Sequence, residues 1–252
     1  MTVVTDRAGA ADKSFDVLEA LVEHGRLADI ARATGLPKAT VHRILQVMVE
    51  RGLAQPTGDG GYACGPRLVA LAGRVMHAVD LGGRVHPQLD ALRVGTGHTV
   101  HLALRAGDEA VYVAKLDAGR PYRLASRVGM SLHLHSTSIG KAILAGLTDA
   151  EVAEVAGRTG LPARTPRTIT ALPDLLAEIG RTRRRGWAED HEENEAGVGA
   201  CGAPVRDHTG AVIGGISAVA LTHDLTGGYD RLGPQVVEAA AAVSRALGAP
   251  RV

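Results

Sequence analysis

The sequence predicts an α+β chain in two parts: a small N-terminal unit of three helices and a β-hairpin, and a larger α/β unit built on an antiparallel sheet. Three observations point there. Apolar residues recur at helical spacing up to Arg51, and a "GDGG" turn follows shortly after. At Thr99 the period switches to two, with "TVHLALR" and "AVYVAKL" alternating about an Ala106-Gly107-Asp108 turn. Beyond that point short extended segments alternate with helical ones, and tight turns between strands imply antiparallel pairing.

Each element has its own signal. Asp12 is placed to cap a first helix with Phe15, Leu18, Leu21 and Val22 as its apolar face, and Gly25 stops it. A second short helix spans 27–34, and a third runs from Pro37 to about Arg51, ended by Gly52. "LAQPTGDGGYAC" reads as a β-hairpin. Residues 66–95 are helical, with Gly82-Gly83 and Pro87 breaking them in two. The strands at "TVHLALR" and "AVYVAKL" read as half-buried, with Val100, Leu102 and Leu104 facing inward on the first. "SIGKAILAGL", 149–158 and 172–185 are helical; "GWAED", "GAPVRD" and "AVIGGISAVAL" are extended, the last two joined by an Asp-His-Thr-Gly turn. A C-terminal helix carries Leu232, Val236, Ala240, Val243 and Leu247 on one face. The domains are then 1–65, linker helices 66–96, and 97–252.

Composition bounds the function classes. The 252 residues are 45% hydrophobic and only 2% aromatic, so the core is aliphatic. A net charge of +1 names no partner, and acidic residues outnumber basic ones in the first 65. Any nucleic-acid contact must come from local placement or from doubling in a dimer. Cys64 and Cys201 lack metal-type spacing and read as reduced thiols. No signal pattern or membrane-length apolar run appears, so a cytoplasmic protein without a membrane partner is expected.

The sharp Gly-Pro break in "ATGLPKATVHRIL" is explained by a helix-turn-helix. Ile30 faces inward, and Ala31 is small where the helices touch. Gly35 takes the left-handed turn, Leu36 plugs the core, and Pro37 pre-sets the next helix. Val41, Ile44, Leu45 and Met48 form the buried stripe. With the hairpin as a wing, these offsets define a winged helix-turn-helix. Lys38, Ala39, Thr40, His42, Arg43 and Gln46 are left outward or at the edges, in the part of a recognition helix that enters the major groove. Arg43 suits guanine, Gln46 adenine, and Ala39 or the Thr40 methyl thymine. Lys38, Arg32, Arg26 and the amides opening each helix suit phosphates. Double-stranded DNA is the expected partner, as a pseudo-palindromic operator gripped by a homodimer spanning two half-sites.

The winged helix, "RVGMSLHLHSTSIGKAILA" and "GWAEDHEENEAGVGACGAPVRDHTG" together resemble the IclR family of bacterial transcriptional regulators, over nearly the whole chain. The resemblance implies a GAF-like C-terminal domain that binds a small-molecule effector, assembly as a homodimer or dimer of dimers, and a regulator that represses or activates genes rather than an enzyme. By position it implies an effector pocket of Gly129, Met130, Leu132 and His135 in the 129–135 loop, and Ser138, Ile139 and Gly140 opening a helix. Asp190, Ala200, Cys201, Ser217 and Val219 complete it. Free amides at that helix start suit an anion such as a carboxylate. Ala200 and Val219 stand where carboxylate-binding members often carry polar residues, and His133 where a proline is usual. A larger, partly apolar effector is therefore expected. Alternatives are a ligand-free regulator working through a protein partner, or an enzyme on a GAF-like fold.

Rival motifs are weaker. His98 and His101 point to opposite strand faces; His133 and His135 share one, but no cysteine or carboxylate completes a tetrahedral metal site. "IGKA" lacks the first glycine of a P-loop, and "GISAV" lacks the second glycine of a nucleophile elbow. Asp190, Glu192, Glu193 and Glu195 read as a solvated loop, although Asp190 or Glu195 could bond within the pocket. Arg181 to Arg185 complement a helix C-terminus. No metal, cofactor or catalytic residue is called for.

Overall fold

The computed structural model describes residues 9–80, 83–119, 124–225 and 228–250, in two compact units, 1–78 and 79–252. The first unit holds α1 (Ala10–Glu23), α2 (Leu27–Thr34), α3 (Lys38–Glu50), the hairpin β1 (Ala54–Pro56) and β2 (Tyr62–Cys64), and α4 (Pro66–Asp80). The second holds α5 (His86–Thr96), β3 (Thr99–Ala106), β4 (Glu109–Leu116), β5 (Ser131–His133), α6 (Ser138–Leu144), α7 (Asp149–Thr159) and α8 (Leu172–Arg185). It continues through β6 (Ala188–His191), β7 (Val198–Arg206), β8 (Val212–Leu221) and α9 (Gly228–Ala246). The 66–96 stretch read as one linker is thus divided. Pro87 sits in the first turn of α5, and Gly82 lies outside the described residues.

In the first unit, Val17, Ile30, Val41 and Leu45 are fully enclosed in one core that includes Leu21, Ala31, Met48, Ala54 and Tyr62. Gly35 is left-handed (φ 67°) and ends α2, as a turn of two crossing helices requires. The face of α1 departs from expectation. Phe15 and Val22 are 62% and 64% exposed, while Val17 is enclosed. The buried stripe passes through Val17 and Leu21; Phe15 and Val22 flank it and meet water. Asp12 is not the cap residue: α1 starts two residues earlier, and the Asp12 carboxylate accepts from the Gly9 amide at 2.7 Å.

The second unit is a three-layer sandwich. Its six-stranded sheet has the order β5-β4-β3-β8-β7-β6, with every pair antiparallel. One face packs on α5 and α9 through Val85, Leu89, Val100, Leu102, Cys201, Ile216, Val236 and Val243. The other is covered by α6, α7 and α8 through Ala103, Ile139, Ile143, Val152 and Ile179. β3 is therefore covered on both faces, not half-buried. The three-residue β5 was not anticipated; it lies inside the 129–135 loop and pairs with the outer edge of β4.

Candidate functional site

The first candidate site is the outer face of α3. Lys38, Ala39, His42, Arg43 and Gln46 are exposed and Thr40 is half-buried, while Val41, Leu45 and Met48 are enclosed. Pro37, extended (ψ 138°), precedes the helix. Among the described residues Lys38 and Arg43 have no ion-pair partner. The other two cations are compensated locally: Arg32 pairs with Asp29 at 2.8 Å, and Arg26 with Asp59 of the wing turn at 3.4 Å. Gln46 Nε2 donates to the Tyr62 hydroxyl at 3.3 Å, which ties the outward face of α3 to the hairpin. The charge that α3 presents outward therefore comes from Lys38 and Arg43.

The second is a cavity of about 430 Å³ between the sheet and α6. Strand alternation decides which residues reach it. Asp190, Ala200, Ser217 and Val219 point in from β6, β7 and β8, and Met130, Leu132, Ser138 and Ile139 close the opposite wall. Four residues assigned by resemblance do not line it. Cys201, one residue past Ala200, faces α9, and burial pushes its thiol up to about 12. His135 is turned away, donating from Nε2 to the Pro162 carbonyl at 3.1 Å. Gly129 lies at a left-handed turn (φ 87°) beside the wall. Gly140 is a packing residue: a Cβ there would come within 2.4 Å of the Leu134 backbone.

The helix start is a smaller anion cradle than its sequence suggests. α6 has seven residues, and its Gly140 amide already donates to the Thr137 hydroxyl at 3.0 Å.

Several lining residues escaped sequence reasoning. His101 reaches the cavity from β3, and Tyr112 stacks on it with ring centroids 4.8 Å apart. Burial, with Lys115 nearby, holds the His101 imidazole down at about 4. Burial, reinforced by Asp190 and Glu195, raises the Tyr112 phenol to about 12. The acidic run is only in part solvated: Asp190 and Glu193 are buried, Glu192 is half-buried and Glu195 exposed. Lys141, fully buried in α6, donates to Glu193 at 2.5 Å, and Glu193 is itself enclosed. The Glu193 amide donates to Asp190 Oδ1 at 2.7 Å. Burial lifts the Asp190 carboxyl to about 7, against the opposing pull of Lys141 and of the backbone amides it accepts from. Thr165 and Thr168 clamp the same loop, donating to the Glu192 and Glu193 carbonyls at 2.7 and 2.6 Å. This over-determination lets Glu192 sit in the left-handed region (φ 64°). Lys141 was visible in the sequence only as part of a rejected phosphate-loop motif.

His133 and His135 lie with ring centroids 5.6 Å apart, and among the described residues no three His, Cys, Asp or Glu side chains gather as a ligand set. Among those residues no helix is long and apolar enough to cross a membrane.

A winged helix-turn-helix with an outward polar helix, carried on the same chain as an α/β unit with an internal cavity, defines a transcriptional regulator with a DNA-binding domain. The chain belongs to the IclR family: residues 73–245 match the family model for the bacterial transcriptional regulator IclR C-terminal domain, and residues 10–58 the IclR helix-turn-helix domain. It is 31% identical to the regulator XynR of Escherichia coli K12, over 96% of this chain and 98% of that one. It is 33% identical to the regulator KdgR of Dickeya chrysanthemi, over 84% and 70%. Among solved structures, it superposes on the IclR of Thermotoga maritima with a TM-score of 0.75 at 30% identity, covering 94% of this chain and 98% of that one. An IclR homologue of Microbacterium hydrocarbonoxydans, solved in complex with 4-hydroxybenzoate, superposes with a TM-score of 0.80 at 25% identity, covering 95% of this chain and 99% of that one.

Proposed function

We propose that this chain binds a pseudo-palindromic operator sequence-specifically through α3, and that a small-molecule effector in the cavity sets its grip. The observation that carries the reading is the cavity itself. Its volume of about 430 Å³ falls in the usual range for small-molecule sites, and its lining mixes apolar and polar side chains. The ligand-bound homologue supports it, since its fold is the same. The mixed lining favours an effector larger and more apolar than a two- or three-carbon acid. Regulation rather than catalysis is the activity, in keeping with the regulators named among its relatives, and the cytoplasm is its place of action. Repression is the proposed sign, since relatives include AllR and the acetate operon repressor of Salmonella typhimurium.

The active form is a homodimer or dimer of dimers. Phe15 and Val22 on α1, and Val69 and Leu71 on α4, are large apolar side chains left in water. A second copy would cover them and bring two reading helices to successive half-sites. Ligand shifts operator affinity only as far as it binds the two arrangements unequally. The test is footprinting of the upstream region with and without candidate metabolites. A footprint that a metabolite weakens or moves is the expected result; a protein indifferent to every fragment of its genome overturns the reading.

A further inference from the structure

The cavity has two polar ends, set by the sheet register. Asp190 pairs with Ala200, and Ala200 with Val219, so these three form a row across β6, β7 and β8. Ser217 lies two residues back along β8, and its cross-strand partner on β3 is His101. Asp190 and His101 therefore sit three strands apart and offset by two residues on one face. At about 4.8 Å per strand their Cα atoms are on the order of 15 Å apart. Between them the floor carries Ala200 and Val219, under Ile139 and Leu132: an apolar saddle.

Each end is built. At the first, Asp190 is held by the Glu193 amide, in front of the buried Lys141–Glu193 pair. At the second, His101 is 1% exposed, and its Nε2 shares a hydrogen bond with Ser126 Oγ at 2.8 Å. Ser126 is itself fixed, because Lys115 Nζ donates to the Ser126 and Leu124 carbonyls at 2.9 and 3.0 Å. His101 Nδ1 is enclosed and has no hydrogen-bond partner. A buried polar atom of this kind calls for a partner, and His101 lines the cavity.

We propose that the cavity takes a compact, two-ended effector: a proton-donating group for Asp190, an apolar middle, and a hydroxyl for His101. This rests on the effector reading above. A hydroxyl suits either imidazole tautomer, since it donates to a bare nitrogen and accepts from an N–H. Each hydrogen bond takes up about 3 Å, which leaves roughly 9 Å between the ligand's own polar atoms. Lys141 is committed to Glu193, so the Asp190 carboxylate itself favours a donor, an amine or hydroxyl; Arg164 and Glu195 also line the cavity, and the preference is assigned to Asp190 alone.

The test uses the full chain at pH 8 with three probes: tyramine, which has both ends; phenethylamine, which lacks the hydroxyl; and 4-ethylphenol, which lacks the amine. Tyramine is expected to raise the melting temperature and, by calorimetry, to bind at least tenfold more tightly than either one-ended probe. His101→Phe is expected to abolish the preference for tyramine over phenethylamine, and Asp190→Asn the preference over 4-ethylphenol. If His101→Phe does not fold, Ser126→Ala, which releases only the holder of His101, is expected to cut the hydroxyl preference at least threefold. Equal binding of one-ended and two-ended probes overturns the two-ended assignment and leaves the effector reading standing, as does an unaltered hydroxyl preference in these variants. Absence of a shift with all three probes also overturns the assignment; the footprint with a wider metabolite set then decides the effector reading separately.

Discussion

The two helices that carry the polar groups of the candidate sites, α3 and α6, do so in opposite ways. α3 spends one stripe, through Val41, Leu45 and Met48, on the core and turns Lys38, His42 and Arg43 to water. α6 is buried around its whole circumference, with Lys141 as enclosed as Ile139 or Ile143. On α3 a side chain can be lost without opening the interior. On α6 every polar side chain is part of the fold, and Ser138 is part of the cavity wall as well. The same residue type, a helical lysine, is thus turned to water in one place and locked into the fold in the other.

Lys141→Met should show the largest effect. It strands the Glu193 carboxylate without its charge partner, a loss on the order of 3–5 kcal/mol, read as a lowered urea midpoint. Lys141→Met with Glu193→Gln should recover much of it; no recovery would mean that the pair does not act as a unit. Arg43→Ala should do the reverse. Operator affinity is expected to fall by about 1–3 kcal/mol while the urea midpoint stays within about 0.5 kcal/mol of the parent. Unchanged operator affinity in that variant would remove α3 as the reading helix.

Protonation separates two buried groups of the cavity from each other. Asp190, held near 7 against an ordinary 3.8, keeps a proton that the unfolded chain has released, so its contribution to stability falls as pH rises between those values. His101, held near 4 against 6.5, stays neutral where the unfolded chain takes up a proton, so its contribution is lost as pH falls through that window. Between pH 4 and 6.5 the two oppose. Relative to the parent, Asp190→Asn should steepen the loss of melting temperature on acidification and His101→Phe should reduce it, each by a few degrees at roughly 2–4 °C per kcal/mol. Parallel curves for all three proteins would contradict both assignments. The smallest expected change is Thr137→Ala, which removes the cap of α6 and should cost about 1 kcal/mol, with no effect on operator contacts other than through stability.

The contrast also explains what was legible in the sequence. α2 and α8 fall on the residues that their punctuation marks, because Gly35 and Gly186 end them in left-handed conformations and Pro173 opens α8. The outward face of α3 followed from periodicity, since a single stripe is buried there. The α1 face was misjudged because Phe15 and Val22 are apolar, and apolar side chains left in water look like core in one chain's sequence. The β5 strand was missed because three residues cannot establish a period. The cavity's ionic back wall was missed for a different reason. Lys141 and Glu193 lie 52 residues apart, and nothing local tells a lysine that will be enclosed from one that will be solvated. His101 is the same case in a strand: a polar residue on the second face of β3 looked like solvent exposure, and that face proved to be the floor of a cavity.

Gly140 and Gly202 set a limit on how this molecule can vary. A methyl group at Gly202 would come within 2.6 Å of the Ser138 backbone, and one at Gly140 within 2.4 Å of Leu134, so α6 rests on β7 and the preceding loop main chain to main chain. Its height above the sheet is fixed by two missing carbons. Ala200 and Val219 are under no such constraint, since they meet open space. A lineage of these proteins is thus free to reshape the cavity by repainting the floor tiles, provided the ceiling joists are left bare.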